Sequence, residues 1–399
     1  MSNNGCWQEL PLGNAVQEVL TGPFGSMLHV EDYGVGGVPI VNPINISNAG
    51  IVADPNKTIL SVKARELERY LLELDDVVVA RRGDMGRCAR VTDEQTGWLC
   101  GTGCFVVRPG QKMDGSFLAY LLASDASKEA LENLASGVTM LNLGNKALQS
   151  LMVPTPPLDE QRRIAEVLRS VDEAIAATQA TLSFCEDFLI AQRRETFLNL
   201  IEEPGETSIA FKDMCDLGRG FAFKSEDYQD TGVLNFRVTN VGKPVDDLGG
   251  QCFLPEAFMD TFDEYVLWGD EIVLVMVGAT VGKLGRVPEA ICPALLNQNM
   301  WTLNAKAPFT HDLLWHLAHV LIEAKVYGAQ GGAYSFLTKK DFLQHRIGSF
   351  DHDKMAERVG YLSAIEAYIQ RLAVELRVAI AMKAALSADL LAGHVRVPV

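Results

Sequence analysis

Arginine and lysine gather beside two glycine turns. Arg81 and Arg82 precede Gly83-Asp84-Met85-Gly86, and Arg87 follows it. In the second half of the chain, Lys283 and Arg286 occupy the matching turn. A guanidinium can pair bidentately with guanine, and either cation can hold a phosphate. The competing use of Arg87 or Arg286 is a salt bridge to a neighbouring acid. Two further matched loops, Ser136-Gly137-Val138-Thr139 and Gly331-Gly332-Ala333-Tyr334, offer Thr139 and Tyr334 as contacts, the glycines turning the chain. Lys224 completes the set of candidate DNA-binding residues.

Catalytic patterns do not accompany these cations. An amino-methyltransferase needs an Asn/Asp-Pro-Pro-Tyr/Phe motif to hold its target amine. Asn42-Pro43-Ile44 and Pro154-Thr155-Pro156-Pro157 do not fit it. Gly278-Ala279-Thr280-Val281-Gly282-Lys283 is too short for a phosphate-binding P-loop and lacks the following Ser or Thr. Gly101-Thr102-Gly103-Cys104 leads into a strand, which argues against a cofactor loop. His311, His316 and His319 lie on an apolar helix and read as core or surface histidines rather than metal ligands. Asp75-Asp76 and Asp270-Glu271 fall at matching strand starts with no base or metal cluster beside them, and read as polar strand entries. The eight cysteines form no CxxC pair and read as reduced thiols of a cytoplasmic protein. The expectation is a chain with no catalytic, cofactor or metal residues of its own.

The elements that position the cations occur twice. At a shift of 194 residues Asp159 meets Asp353, Leu168 meets Leu362, Val171 meets Ile365 and Leu182 meets Leu376. At a shift of 195, Asp76-Val77-Val78-Val79 meets Glu271-Ile272-Val273-Leu274. A repeat of this length is the size of a domain, not of a solenoid unit. Residues 77–91 and 271–287 each read as strand, glycine turn, strand. Residues 103–110 and 301–304 add strands. Apolar spacing predicts helices over 117–136 and 311–328, the latter closed by Gly328.

Two longer helices carry heptad seams. The first runs through Ile164, Leu168, Val171, Ile175 and Leu182, with Pro156-Pro157 ahead of it. The second runs through Leu362, Ile365, Ile369, Leu372 and Leu376, and Lys383 interrupts its stripe. Each is roughly 45–60 Å long at about 1.5 Å per residue. Two seams in one chain should bury each other as an intramolecular antiparallel coiled coil. The predicted fold is therefore α+β: two similar globular domains joined by two long helices, related by a pseudo-two-fold. Expected segments are 1–155, 156–203, 204–350 and 351–399.

Composition limits the partners. The chain has 399 residues and a net charge of −16, and no segment between those boundaries is net basic. A nucleic-acid reader usually presents a basic face. This one would need local clusters of Arg and Lys and a partner supplying most phosphate contacts. No run of 18 apolar residues predicts a membrane span, and the N-terminus does not read as a signal peptide.

Particular stretches resemble a known family. PLDEQRRIAEVLRSVDEAI at 157–175 is similar to a helix of the specificity subunits of type I restriction-modification enzymes. GPFGS at 22–26, followed by Asp32-Tyr33, resembles the opening of their target recognition domains. Ser225-Glu226-Asp227-Tyr228 resembles its counterpart in the second copy, and ALSADLLAGHVRV at 385–397 their C-terminal segment. The resemblance covers nearly the whole chain in order. It implies a non-catalytic subunit that reads a bipartite site in double-stranded DNA, one half per domain, with the helices setting the spacer. It implies two methyltransferase subunits as partners, which bind S-adenosylmethionine and methylate adenine, and allows a translocating restriction subunit. The rival expectation is an acidic scaffold or anti-restriction protein that occupies methyltransferase subunits without reading DNA.

Overall fold

The computed structural model describes residues 7–47, 50–135, 142–248, 250–324 and 338–397. The chain divides into two compact units, Met1–Gln179 with Val374–Val399, and Ala180–Ala373. Both divisions fall inside a long helix, so each unit holds one globular head and a part of each helix.

The first head is built on a four-stranded sheet. Strands β1 (Glu18–Thr21), β3 (Val77–Ala80), β4 (Cys88–Arg90) and β6 (Cys104–Arg108) lie in the order β1-β6-β3-β4. Val107 on β6 faces Val19 on one side and Val77 on the other. The Val-Val-Val-Ala run of β3 is apolar throughout because both faces are covered. Val77 and Val79 enter one core with Phe105 and Phe117, and Val78 enters another with Val41 and Val106. That second core lies under a second sheet, in which β2 (Val38–Val41) pairs in parallel with β5 (Leu99–Cys100). The helix expected over 117–136 is two helices, α1 (Gly115–Ala123) and α2 (Asp125–Leu134). Ser124 is extended between them, and its Oγ accepts from Ser127 N–H at 3.3 Å. A serine that caps a helix start competes with continuing the previous helix. The long helix α3 (Leu158–Glu202) follows.

The second head repeats this plan. β7 (Cys215–Leu217), β9 (Ile272–Val275), β10 (Leu284–Arg286) and β12 (Met300–Ala305) lie in the order β7-β12-β9-β10. β8 (Val233–Phe236) pairs in parallel with β11 (Ala294–Leu296). Helix α4 (His311–Ile322) starts on Thr310, whose Oγ1 accepts from Leu313 N–H. Gly328, the expected end of that helix, lies outside the described residues. The second long helix is α5 (His352–Ala392).

Within each unit the two long helices run antiparallel. In the first, Asp172 of α3 meets Lys383 of α5, while Glu160, earlier in α3, meets Arg396, beyond the end of α5. Ile164 and Leu168 are buried there in one core with Leu390 and Leu391. In the second, Arg193 meets Glu366, and Leu189, Phe197 and Ile201 share a core with Met355, Val359 and Leu362. The seam positions are the covered ones: Leu372 is buried, and Val171, Ile175, Leu182, Ile365, Ile369 and Leu376 are half-buried. Among the described residues no helix is long and apolar enough to cross a membrane.

Candidate nucleic-acid interface

Strand register shows which residues of the two glycine turns correspond. β3 and β9 start at Val77 and Ile272, 195 residues apart. The turn that follows is one residue longer in the second head, because Val77 pairs with Arg90 but Ile272 with Arg286. Ala80 N–H donates to Arg87 O at 2.8 Å, and Val275 N–H to Lys283 O at 2.9 Å. Lys283 is thus the equivalent of Arg87. Arg286 is the equivalent of Arg90, a strand residue. Placing Arg286 in the turn was an error of alignment that a single inserted residue produces.

Arg286 is also committed elsewhere. Its guanidinium bonds Asp270 at 2.8 Å and Asp312 at 2.5 Å, and lies over the Trp315 ring at 5.2 Å. Asp270 and its equivalent Asp75 both hold a left-handed backbone, φ 65° and 71°. Arg90 bonds Asp75 at 2.5 Å in the same way. Aspartate tolerates that conformation better than most residues. The matched acids are therefore strand-entry residues, each tied to the strand opposite.

The other cations divide into held and open ones. Arg87 donates to Pro43 O at 3.2 Å and lies 3.6 Å from Asp84, which also holds Lys128 at 3.0 Å. Arg81 follows β3, with its guanidinium over the Phe105 ring at 5.6 Å. Burial, then the adjacent Arg82, lowers its pKa from the ordinary value. Arg82 is exposed. Segment 142–146 packs along this pair, with Leu143 N–H donating to Arg81 O at 2.8 Å. Lys224 is exposed and pairs with Glu226 at 3.1 Å. Thr139 and Tyr334 lie outside the described residues.

A capped turn that the motif search passed over stands beside each glycine turn. Asn45 Oδ1 accepts from Asn42 N–H at 2.9 Å, and its amide donates to Val52 O. Asn240 does the same to Arg237 N–H, at 2.8 Å, and to Leu248 O. Arg87 leans on the first of these turns. Lys283 leans on the second, its Cε 3.5 Å from where a Cβ on Gly242 would lie. This brings Arg237 to the candidate face, and the match of Asn45 with Asn240 was the signal that could have found it.

Comparison with known proteins agrees with this duplicated layout. A family model described as the type I restriction modification DNA specificity domain matches residues 24–183. The MjaVIII type I restriction enzyme specificity subunit of Methanocaldococcus jannaschii is 24% identical over 204 residues, 47% of this chain and 48% of that protein. A putative MjaX specificity subunit from the same organism is 21% identical over 330 residues, 78% of this chain and 76% of that protein. The chain thus spans about half the length of the first relative and about three quarters of the second. A crystal structure of a type I S subunit from M. genitalium shares the fold, with a TM-score of 0.61 at 16% identity over 98% of this chain and 97% of that one. The chain is similar, over most of its length, to specificity subunits of type I restriction-modification systems.

Each head is also fastened to the helices by a polar cluster that the sequence reading missed. Tyr120 OH donates to Asp172 at 2.8 Å, and Lys383 pairs with the same carboxylate at 2.5 Å. Trp315 Nε1–H donates to Glu366 at 2.6 Å, and Arg193 pairs with that carboxylate at 3.0 Å. Tyr120 and Trp315 are 195 residues apart, Asp172 and Glu366 194. Lys383, the interruption in the apolar stripe, thus has an acid to meet. Among the histidines once weighed as metal ligands, His316 accepts from Arg193 Nε–H at Nδ1, at 3.0 Å, leaving Nε2–H for Ser363 Oγ at 3.1 Å. Burial and Arg193 push its pKa down to about 3, and burial does the same for His319. Among the described residues no group of three His, Cys, Asp or Glu side chains could hold a metal ion.

Proposed function

We infer that this chain is the DNA sequence-specificity subunit of a type I restriction-modification complex. Each head reads one half of a bipartite site in double-stranded DNA. Two methyltransferase subunits, carrying S-adenosylmethionine, dock on the helical parts and methylate adenine. A restriction or translocase subunit is a further partner. The chain itself does no chemistry and works in the cytoplasm. The observation that supports this reading is the duplication. One sheet order, β1-β6-β3-β4 and β7-β12-β9-β10, occurs twice with different side chains on the same turns. Two like frameworks with unlike surfaces suit two unlike half-sites, because base readout rests on the side chains that a framework presents.

The test is an exchange of heads. Residues 1–155 are replaced by the first head of another family member, the chain is co-expressed with its methyltransferase subunit, and methylated adenines are mapped across the host genome. One half of the recognised site should change and the other persist. A change in both halves, or in neither, would overturn the assignment of one half-site to each head.

A further inference from the structure

Arg81 and Arg82 are adjacent cations, and neither faces a carboxylate among the described residues. Arg81 Nε is buried without a hydrogen-bond partner. In a chain of net charge −16 this is an unusual place to leave two positive charges uncompensated. The equivalent positions in the second head are Met276 and Val277, with no charge at all.

The second head concentrates charge elsewhere. Its longer turn, residues 278–282, contains no acid, whereas the first contains Asp84. Lys283 therefore keeps its charge where Arg87 is offset by Asp84. Arg237 stands where the first head has Asn42, and its Nη2 donates to Gly250 O while its Nε is buried without a partner. Neither Arg237 nor Lys283 faces a carboxylate among the described residues.

We propose that the two heads hold the DNA backbone from non-equivalent positions, the first with Arg81 and Arg82 after β3, the second with Arg237 and Lys283 where the glycine turn meets the capped turn. This rests on the DNA-reading function above. A phosphate lying along Arg81 and Arg82 would relieve their mutual repulsion. In the second head, the same backbone would meet the Lys283 ammonium and the Arg237 guanidinium. The likeness of the two heads would then not extend to their phosphate contacts, and each head would place its half-site in its own register.

The test uses the full chain assembled with its methyltransferase subunits and a fluorescently labelled duplex of mixed sequence. Affinity is measured against salt concentration for the native complex and for R82Q, R237Q, K283Q and R69Q. Each lost phosphate contact should lower the slope of log affinity against log salt by about 0.9. R82Q, R237Q and K283Q should each show that fall. R69Q, which removes an exposed cation facing Glu18, is the control for net charge. R82Q and K283Q take away no side-chain hydrogen bond or ion pair among the described residues, so their slopes are free of folding effects; thermal unfolding of R237Q checks that its loop is intact. Unchanged slopes in R82Q or K283Q overturn the proposal. So does an equal fall in R69Q, since the slope would then follow total charge. A native complex that retains no DNA at any salt overturns the DNA-reading function, and this proposal with it.

Discussion

Replacing Glu366 by glutamine separates two clusters that look alike. Arg193 is almost fully covered, its side chain 7% exposed, and Glu366 is 19% exposed. The substitution keeps the shape but leaves a buried guanidinium without its counter-charge, and turns one acceptor toward Arg193 or Trp315 into a donor. Breaking such a pair costs about 3–5 kcal/mol. In the other unit, Asp172 and Lys383 are 37% and 32% exposed, so water screens them. There D172N should cost at most about 1 kcal/mol for the ion pair, plus about 1 kcal/mol for the Tyr120 hydrogen bond. The two variants should therefore differ by about 2 kcal/mol, although the contacts have the same plan. Urea unfolding of the full chain, followed by tryptophan fluorescence, measures this because Trp315 reports on the second cluster directly. The double variant R193M/E366L, which fills similar volume without charge, should recover most of the loss. An E366Q penalty below about 1 kcal/mol, or a double variant no better than E366Q, would refute the claim that an uncompensated buried charge sets the cost.

Acid should weaken the second unit. His316 and His319 have folded pKa values pushed to about 3, so between that value and the ordinary 6.5 the unfolded chain binds more protons. Their contribution is complete above pH 6.5 and is lost on acidification by up to about 1.4 kcal/mol per pH unit for each group. H319F should flatten that decline in a series of urea midpoints against pH. R286M should destabilise the second unit by about 1–2 kcal/mol, because it removes two ion pairs whose carboxylates, Asp270 and Asp312, are half-solvated. It should leave the salt slope of DNA binding unchanged, which filter binding can check. K383L continues the apolar stripe of α5 but strands a partly solvated Asp172, so the unfolding midpoint should move by no more than about 1 kcal/mol.

The duplication, the two long helices and their seam positions were legible from residues alone. They depend on periodicity and on shifts of 194 and 195, and a heptad stripe can face only one way once it is covered. The continuous apolar runs at Val77–Val79 and Ile272–Leu274 likewise announced strands, and the structure showed that both faces are covered. Which cations are available was not legible. Arg286 and Arg87 look like Lys283 and Arg82 in a string of letters. They differ because Asp270, Asp312 and Asp84 come within reach only when strands pair and helices pack. The single extra residue in the second turn moved Arg286 onto a strand, and only hydrogen-bond register reveals such a slip. Ser124 ended a helix that apolar spacing alone would have carried through, because its hydroxyl caps both sides of the break, donating to Leu121 O at 2.7 Å and accepting from Ser127 N–H at 3.3 Å. The Tyr120 and Trp315 clusters join residues up to 263 positions apart in the chain. Distance along the sequence carries no information about such contacts, since burial and the geometry of packed elements decide which charges meet.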